Sequence, residues 1–468
     1  MDYKITGYEP EKLFHFFEEI SAIPRGSGNE KGISDYLVKF AKDRGLEVIQ
    51  DDAYNVVIKK AGSRGAEDHA PVMLQGHMDM VCEKRAGVEH DFEKDGLDLI
   101  IRDGRLTANG TTLGGDNGVA VALMLMVLDD DEIEHPPVEC VFTTEEEVGL
   151  NGAKALDKSV LKARTMINMD SEDEGVATVS CAGGLRVQFT KEIKRTTVQG
   201  SLLTLKVEGL LGGHSGQDID KERQNADLLM ARMIQRLLKE TKGQLVSFNG
   251  GTKDNAIPRE CEASLIYESD EEAAKAEELA CELAETYAEE LTPAEPDFSC
   301  EISCETNRTA EAIPQDAAKE FICAMRLAPN GIQKRNIKMD GFVVVSLNLG
   351  VVRTEEDRIV MIFSPRSSVA SLQEDTKERL NTLAETFGFT VSHSSEYPGW
   401  SFKEDSPVRE ICKESYKELF GEDLKIEAIH AGLECGLFSD AIKGLDAIAI
   451  GPTIANCRWI LLKDFMSS

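Results

Sequence analysis

The sequence predicts an α/β protein in two parts: a mainly parallel, helix-covered sheet, and an inserted α+β domain made of two ferredoxin-like halves. Three observations carry this expectation. Over the first 184 residues short apolar runs alternate with helix-period segments, as strands buried on both faces by crossover helices do. After Gly183-Gly184 the order changes to strand, helix, strand, strand, helix, and that order occurs twice. After Tyr397-Pro398-Gly399 the alternation of the first part resumes. At 468 residues the chain is also too long for one ordinary core.

Taken in order, helical periodicity covers Glu11 to Ile20 and Gly32 to Arg44, and Pro71 to Leu74, Val138 to Thr144 and Thr165 to Met169 read as short buried strands. Val119 to Leu128 is a helix candidate between them. The first inserted unit runs through a strand at Leu202 to Val207, a helix from Asn225 to Glu240, strands at Gln244 to Phe248 and Cys261 to Tyr267, and an acidic helix from Asp270 to Glu290. The second has Phe298 to Cys304, a helix from Pro314 to Leu327, strands at Phe342 to Leu349 and Arg358 to Phe363, and a helix from Ser368 to Phe387. A helix near Pro407 to Phe420 and an apolar run at Leu445 to Ile450 complete the tail. The expected boundaries are residues 1–184 for the first part of the sheet domain and 185–395 for the insertion, with halves at about 185–293 and 294–395. Residues 396–468 return to the sheet domain.

With 41% hydrophobic and 29% charged residues the chain can bury large cores and lacks the signature of disorder. Its 84 acidic against 52 basic residues leave a net charge of −32, which repels phosphate backbones and anionic membrane surfaces and argues against a nucleic-acid partner. The start, MDYKITGYEPEKLF, has no apolar core behind a basic end, and no later stretch reaches the roughly 18 to 20 apolar residues of a membrane span. A cytoplasmic protein without a membrane partner is expected. Eleven cysteines with no CxxC pair do not make a disulfide framework. Cys300 and Cys304 would share one face of a strand as partly buried structural thiols.

Three strand candidates run straight into residues that ligate metals. Val72-Met73-Leu74 leads to Gly76-His77-Met78-Asp79, Val141 to Thr144 leads to Glu145-Glu146-Glu147, and Met166 to Met169 leads to Asp170. A fourth carboxylate, Asp116, lies in Gly114-Gly115-Asp116-Asn117-Gly118 immediately before a helix. Each piece alone has a bland reading: an HxD is commonly a histidine oriented by an acid, an EEE run a solvated face, a GGDNG a turn. Together they place one imidazole and several carboxylates at one sheet edge, a donor set for a hard or borderline divalent ion, with zinc favoured by the histidine. Without a cation that many carboxylates would raise one another's pKa values.

The strings GHMDMVCEK, TTLGGDNGVAVALML, TTEEEVGLNGA, INMDSEDEG, GGHSGQDIDKERQNA, NAIPRE and HAGLECGLF resemble the bacterial aminoacyl-histidine dipeptidases, a branch of the zinc peptidase family that also includes aminoacylases and carnosinases. The resemblance runs from the N-terminal helix to about Ile454. It implies that the sheet domain is catalytic, that the insertion is a lid domain, and that the activity is hydrolysis of dipeptides, Xaa-His and broader. By the same resemblance His77 binds one metal and Asp79 orients it. Asp116 would bridge two metals, followed by a peptide bond that is often cis in relatives. Glu146 would be the general base, Glu147 a ligand of the second metal, and Asp170 the residue completing the first site. His214, in GGHSG, resembles the lid histidine that stabilises the oxyanion, in dimeric members from the partner subunit. Asn255 in NAIPRE and Arg366 in SPRSS resemble residues that hold the substrate's carboxylate end. His430 lies in HAGLECG, similar to a substrate-contacting loop. The implied cofactor is a pair of Zn2+ ions, with Mn2+ or Co2+ as alternatives. The implied partners are dipeptides and a homodimer mate through the lid.

One position departs from the family. Its last metal ligand is a histidine shortly after GPTI, in a context like GPTIxxxHSPDE, whereas here Gly451-Pro452-Thr453-Ile454 is followed by Ala455-Asn456-Cys457-Arg458-Trp459. Arg458 stands at the histidine position, and a guanidinium offers no lone pair to a metal. Cys457 is one residue out of register, and no histidine follows His430. The expectation is an altered end, a nearly complete first metal site, a second site short of one ligand, and weakened or absent activity. Two other readings stay open: a deacylase of N-acyl amino acids with the same metal chemistry, and a catalytically impaired peptide-binding relative.

Overall fold

The computed structural model of the chain describes residues 3–337, 341–455 and 459–461. It comprises two compact units. Met1–Cys181, Trp400–Ala428 and Leu433–Ser468 form the first, and Ala182–Gly399 with Ile429–Gly432 form the second. Residues 182–184, 396–399 and 429–432 therefore group with the insertion, not with the sheet domain to which the sequence assigned them. The amide of Ala182 donates to the Ala431 carbonyl at 3.0 Å, which ties the short 429–432 excursion into the second unit.

The first unit holds an eight-stranded mixed sheet in the order Glu47–Gln50, Val56–Lys60, Val138–Thr143, Val72–His77, Thr165–Asn168, Asp446–Ala449, Val176–Cys181, Lys425–Ile429. The α/β class is as expected, with parallel pairing joining the four central strands. Antiparallel pairs flank them. The first flank is a hairpin, too short a connection for anything but antiparallel pairing. In its turn Asp51 accepts from the amides of Ala53 and Asn55 at 2.9 Å. The parallel centre matters for the site, because it sends the ends of Val72–His77, Val138–Thr143 and Thr165–Asn168 to one edge.

Helix Gly115–Asp129 has no polar face: Val119, Ala120, Val121, Ala122, Met124, Leu125 and Leu128 are all buried, as its run of apolar residues requires. It lies tight on the strand ending at His77. A Cβ on Gly76 would stand 2.7 Å from that of Ala120.

The second unit is built on a nine-stranded sheet. Its main order is Ser299–Ala312, Thr196–Glu208, Cys261–Tyr267, Gln244–Gly250, Val343–Thr354, Arg358–Ser367, Gly183–Glu192, Thr390–Tyr397, and Gly331–Arg335 pairs alongside Val343–Thr354. Helices Ala226–Glu240, Asp270–Leu291, Gln315–Leu327 and Ala370–Thr386 contribute apolar faces to one core with it. Each half has the strand, helix, strand, strand, helix, strand order of a ferredoxin-like unit. The halves are not contiguous, however, and the boundary expected at 293/294 is corrected. Ser299–Ala312, which the sequence placed at the start of the second half, pairs along Thr196–Glu208 and closes the first. The second half opens with Gly183–Glu192, paired to both Arg358–Ser367 and Thr390–Tyr397. Both strands alternate in the same way, so periodicity alone could not say which partner each takes. Cys300 and Cys304, on Ser299–Ala312, are half-buried free thiols.

Among the described residues no helix is long and apolar enough to cross a membrane.

One buried carboxyl in the second unit gives a stability prediction. Asp227, in the first turn of helix Ala226–Glu240, is fully buried, and burial pushes its pKa up to about 8. The folded chain therefore holds a proton there that the unfolded chain releases near pH 4, and stability should fall as pH rises from that value toward 8. Urea unfolding between about pH 5 and about pH 9 is expected to show this decline, and Asp227→Asn to make it shallower by the share that Asp227 contributes.

Candidate functional site

In the first unit the backbone delivers its polar groups from strand ends. His77 is the last residue of Val72–His77, Glu146 and Glu147 follow Val138–Thr143, and Asp170 stands two residues past Thr165–Asn168. Asp116 lies in the opening turn of helix Gly115–Asp129, where it and Asn117 have non-helical dihedrals and are joined by a cis peptide bond. Gly114, at φ +64°, starts that turn.

These side chains converge. His77 Nε2 lies 2.9 Å from Asp116 Oδ1 and 3.6 Å from Asp170 Oδ1, while its Nδ1 faces Asp79 Oδ1 at 3.2 Å. One potential ligand atom each from His77, Asp116 and Asp170 lie within 4.8 Å of one another, and the same holds for His77, Glu146 and Glu147. Asp79 is fully buried and accepts from the amides of Glu146 at 3.1 Å and Glu147 at 3.3 Å and from the Ser27 hydroxyl at 2.7 Å. It thereby ties the histidine loop to the glutamate loop. Glu145 takes no part in the cluster, as the sequence implied, and its amide donates to Glu30.

Burial works against a charged His77, but Asp116, Asp170 and Asp79 outweigh it and raise the imidazole well above its ordinary pKa. Burial also works against ionised Asp79, yet its hydrogen bonds, His77 first among them, hold it down at about 2. Glu146 is raised well above the usual carboxylate range by burial, with Asp170, Glu434 and Glu147 adding to the rise. Burial lifts Glu147, Glu172 and Glu434 to about 7 each, and neighbouring carboxylates contribute. A buried imidazole among carboxyls that resist ionising is a site short of positive charge, and divalent cations supply it. The residues present fit such ions by donor type, by convergence and by the orientation that Asp79 gives His77.

In the second unit, His214, Arg366 and His430 close around Gly216. A Cβ on that glycine would stand 2.2 Å from the His430 carbonyl oxygen, 3.0 Å from His214 Cε1 and 3.2 Å from Arg366 Nε. His214 Nδ1 accepts from the amides of Gly216 at 3.2 Å and Gln217 at 2.9 Å. The proton of its neutral form is therefore on Nε2, which makes that atom a hydrogen-bond donor. Burial, with Arg366 nearby, lowers the His214 pKa. The same causes take buried His430 down to about 3, and its Nε2 lies 2.7 Å from the Ser346 hydroxyl. Arg366 is thus a cation between two neutral imidazoles, and its Nη1 donates to Tyr397 Oη at 3.0 Å. Asn255 is exposed on the neighbouring loop, where its carbonyl accepts from the Ser215 amide at 2.9 Å. Asn348 Nδ2 brackets that loop by donating to the carbonyls of Asp254 at 3.3 Å and Ala256 at 2.8 Å.

Sequence reasoning missed the supports. Glu434 is fully buried, accepts from Thr143 Oγ1 at 2.7 Å and from Gln75 Nε2, and Gln75 Oε1 in turn accepts from Asn168 at 2.6 Å. Arg25, Ser27, Glu30, Ser346, Asn348 and Tyr397 were likewise unremarked. The available signal was a charged or polar residue inside an otherwise apolar or glycine-rich string, such as Glu434 in Gly432-Leu433-Glu434-Cys435-Gly436. Asn456, Cys457 and Arg458 lie outside the described residues.

A model of the Peptidase family M20/M25/M40 matches residues 73–457. The cytosol non-specific dipeptidase of Escherichia coli (strain K12) is 35% identical over 459 residues, covering 97% of this chain and 93% of that one. Among solved structures, aminoacylhistidine dipeptidase from Vibrio alginolyticus is similar with a TM-score of 0.90 at 35% identity, covering 97% of this chain and 94% of that one. Aminopeptidase PepT from Bacillus cereus has the same fold at 16% identity, with a TM-score of 0.54 and the same coverage of both chains.

Proposed function

The chain belongs to the Peptidase family M20/M25/M40, and from that membership we propose that it is a metal-dependent dipeptidase acting on unblocked dipeptides, Xaa-His among them. The observation that carries the proposal is the convergence of Asp116 and Asp170, and of Glu146 and Glu147, on one buried imidazole. His77, Asp116 and Asp170 would hold one divalent ion, and Asp116 with Glu147 a second. Zinc suits a set that contains a histidine, and manganese or cobalt accept the same donors. When bound, such ions polarise a peptide carbonyl and bring the pKa of water toward neutrality.

The chain's own residues do the rest. Glu146 takes the proton of the attacking water and returns it to the leaving amine. Asp79 keeps the His77 ring in the orientation in which Nε2 faces Asp116 and Asp170, where it would meet the ion. His214, with Nε2 as donor, is the proposed stabiliser of the oxyanion, and Arg366, Asn255 and His430 the proposed holders of the substrate's carboxylate. Arg366, the one cation among them, suits the single charge of that carboxylate.

Elemental analysis is expected to find zinc, manganese or cobalt bound, and a chelator to remove it together with Ala-His hydrolysis. Unchanged turnover after complete metal removal would overturn the proposal. A panel of N-acetyl amino acids turned over faster than Ala-His would replace it with a deacylase. A second reading, a peptide-binding relative with impaired chemistry, is favoured by Arg458 standing where the family has a metal-binding histidine. Dipeptide binding without turnover, even with added zinc or manganese, would establish that one.

A further inference from the structure

We propose that the loop joining the first two helices, Arg25 to Glu30, is a positioning element for the metal centre, with Ser27 acting through Asp79. The proposal rests on the metal-site reading and goes beyond it. The helices end at Ser21 and resume at Lys31, and the residues between them reach three of the loops that carry the candidate ligands. Arg25, 2% exposed, donates from Nη1 to the carbonyls of Met78 at 3.0 Å and Asp79 at 3.2 Å, and from Nη2 to that of Gly114. One guanidinium thus joins the loop after His77 to the turn before Asp116. Glycine is required there, because a Cβ on Gly114 or Gly118 would stand 2.4 or 2.6 Å from Arg25 Nη2. Gly26 forms a bridge with Met80, and Glu30 Oε1 accepts from the Glu145 amide at 3.0 Å.

Ser27 is the most specific of these contacts. Asp79 Oδ1 accepts from the Glu146 amide and faces His77 Nδ1 at 3.2 Å, and Oδ2 accepts from the Glu147 amide at 3.3 Å and the Ser27 hydroxyl at 2.7 Å. The hydroxyl is thus the strongest donor on Oδ2 and fixes the rotation of the carboxylate that both the imidazole and the glutamate loop depend on. Ser27 is half-exposed on a loop, so removing its oxygen opens no core cavity. An effect of Ser27→Ala should therefore be local.

The test uses the full chain. In metal-free protein, Ser27→Ala is expected to speed hydrogen exchange at the Glu146 and Glu147 amides about tenfold, with the thermal midpoint and the amides of the second unit unchanged. Ser27→Thr, which keeps the hydroxyl, should restore slow exchange. In titrations with zinc, Ser27→Ala should bind about ten times more weakly, at the low end for residues that orient a ligand. Exchange at both amides within twofold of the parent chain would overturn the proposal, as would a uniform speeding of all amides with a lower thermal midpoint. If the parent chain takes up no zinc, the metal reading fails while the exchange measurement still decides the role of Ser27.

Discussion

Glu146→Gln is expected to lower dipeptide turnover by about 10²–10⁴-fold, the usual cost of losing a general base, while metal content and KM stay within about twofold. The substitution keeps shape and volume and removes only the capacity to take a proton. Its predicted effect follows from where the carboxyl sits. Burial raises Glu146 well above the ordinary carboxylate range, Asp170, Glu434 and Glu147 push it further, and its amide is fastened to Asp79. Cations at the neighbouring ligands would draw that pKa back toward neutrality, where a base both accepts and returns a proton readily. Glu147→Gln should behave differently, releasing metal in proportion to lost activity. Kinetics and elemental analysis on the two variants together separate base from ligand. If Glu146→Gln loses metal and Glu147→Gln keeps it, the two roles are exchanged.

Most of the candidate ligands were legible in the sequence because they stand at the ends of short apolar runs, and a parallel sheet brings such ends to one edge. His77 and Asp170 needed only that rule, Glu147 needed the family resemblance to single it out from Glu145-Glu146-Glu147, and Asp116 needed the glycines that open its turn. The supporting residues were not legible, since their meaning depends on partners far along the chain: Ser27 on Asp79, Glu434 on Gln75 and Thr143, Asn348 on the loop around Asn255. A serine in a glycine-rich loop or a glutamate before a short helix has an adequate local explanation, so nothing local marks it. The interleaving of the two halves of the second unit was hidden for a related reason. Strand periodicity reports which face is buried, and register and partner are settled by the whole sheet.

Polar supports also set the spacing within the second unit's cluster. Ser346 and Asn348 lie two apart on Val343–Thr354 and so share a face, the first meeting His430 and the second the Asn255 loop. Arg366 is directly opposite Ser346 on the adjacent strand. One stretch of strand therefore sets the spacing of three of the residues proposed to hold a carboxylate.

Restoring a histidine at position 458 is the second large effect expected. The second ion has only Asp116 and Glu147 as proposed ligands, and two carboxylates without a neutral donor leave it weakly held. An arginine at the family's histidine position in the sequence has no lone pair to offer an ion. Replacing the chain from Ala455 onward with a GPTIxxxHSPDE-type ending should raise affinity for the second equivalent of zinc and increase Ala-His turnover by about 10²-fold or more, since two-metal chemistry needs both ions in place. Arg458→His alone should recover less, because the surrounding residues that orient the ring remain those of the present sequence. The gain should vanish when Glu146→Gln is added, which shows that the recovered rate uses the same base. Two tightly bound zinc ions and full turnover in the unaltered chain would reverse the expectation, and would mean that another donor serves the second ion. Glu172 would then be the first residue to test, since its carboxyl is raised to about 7 by burial and by Asp116 and Asp170 beside it.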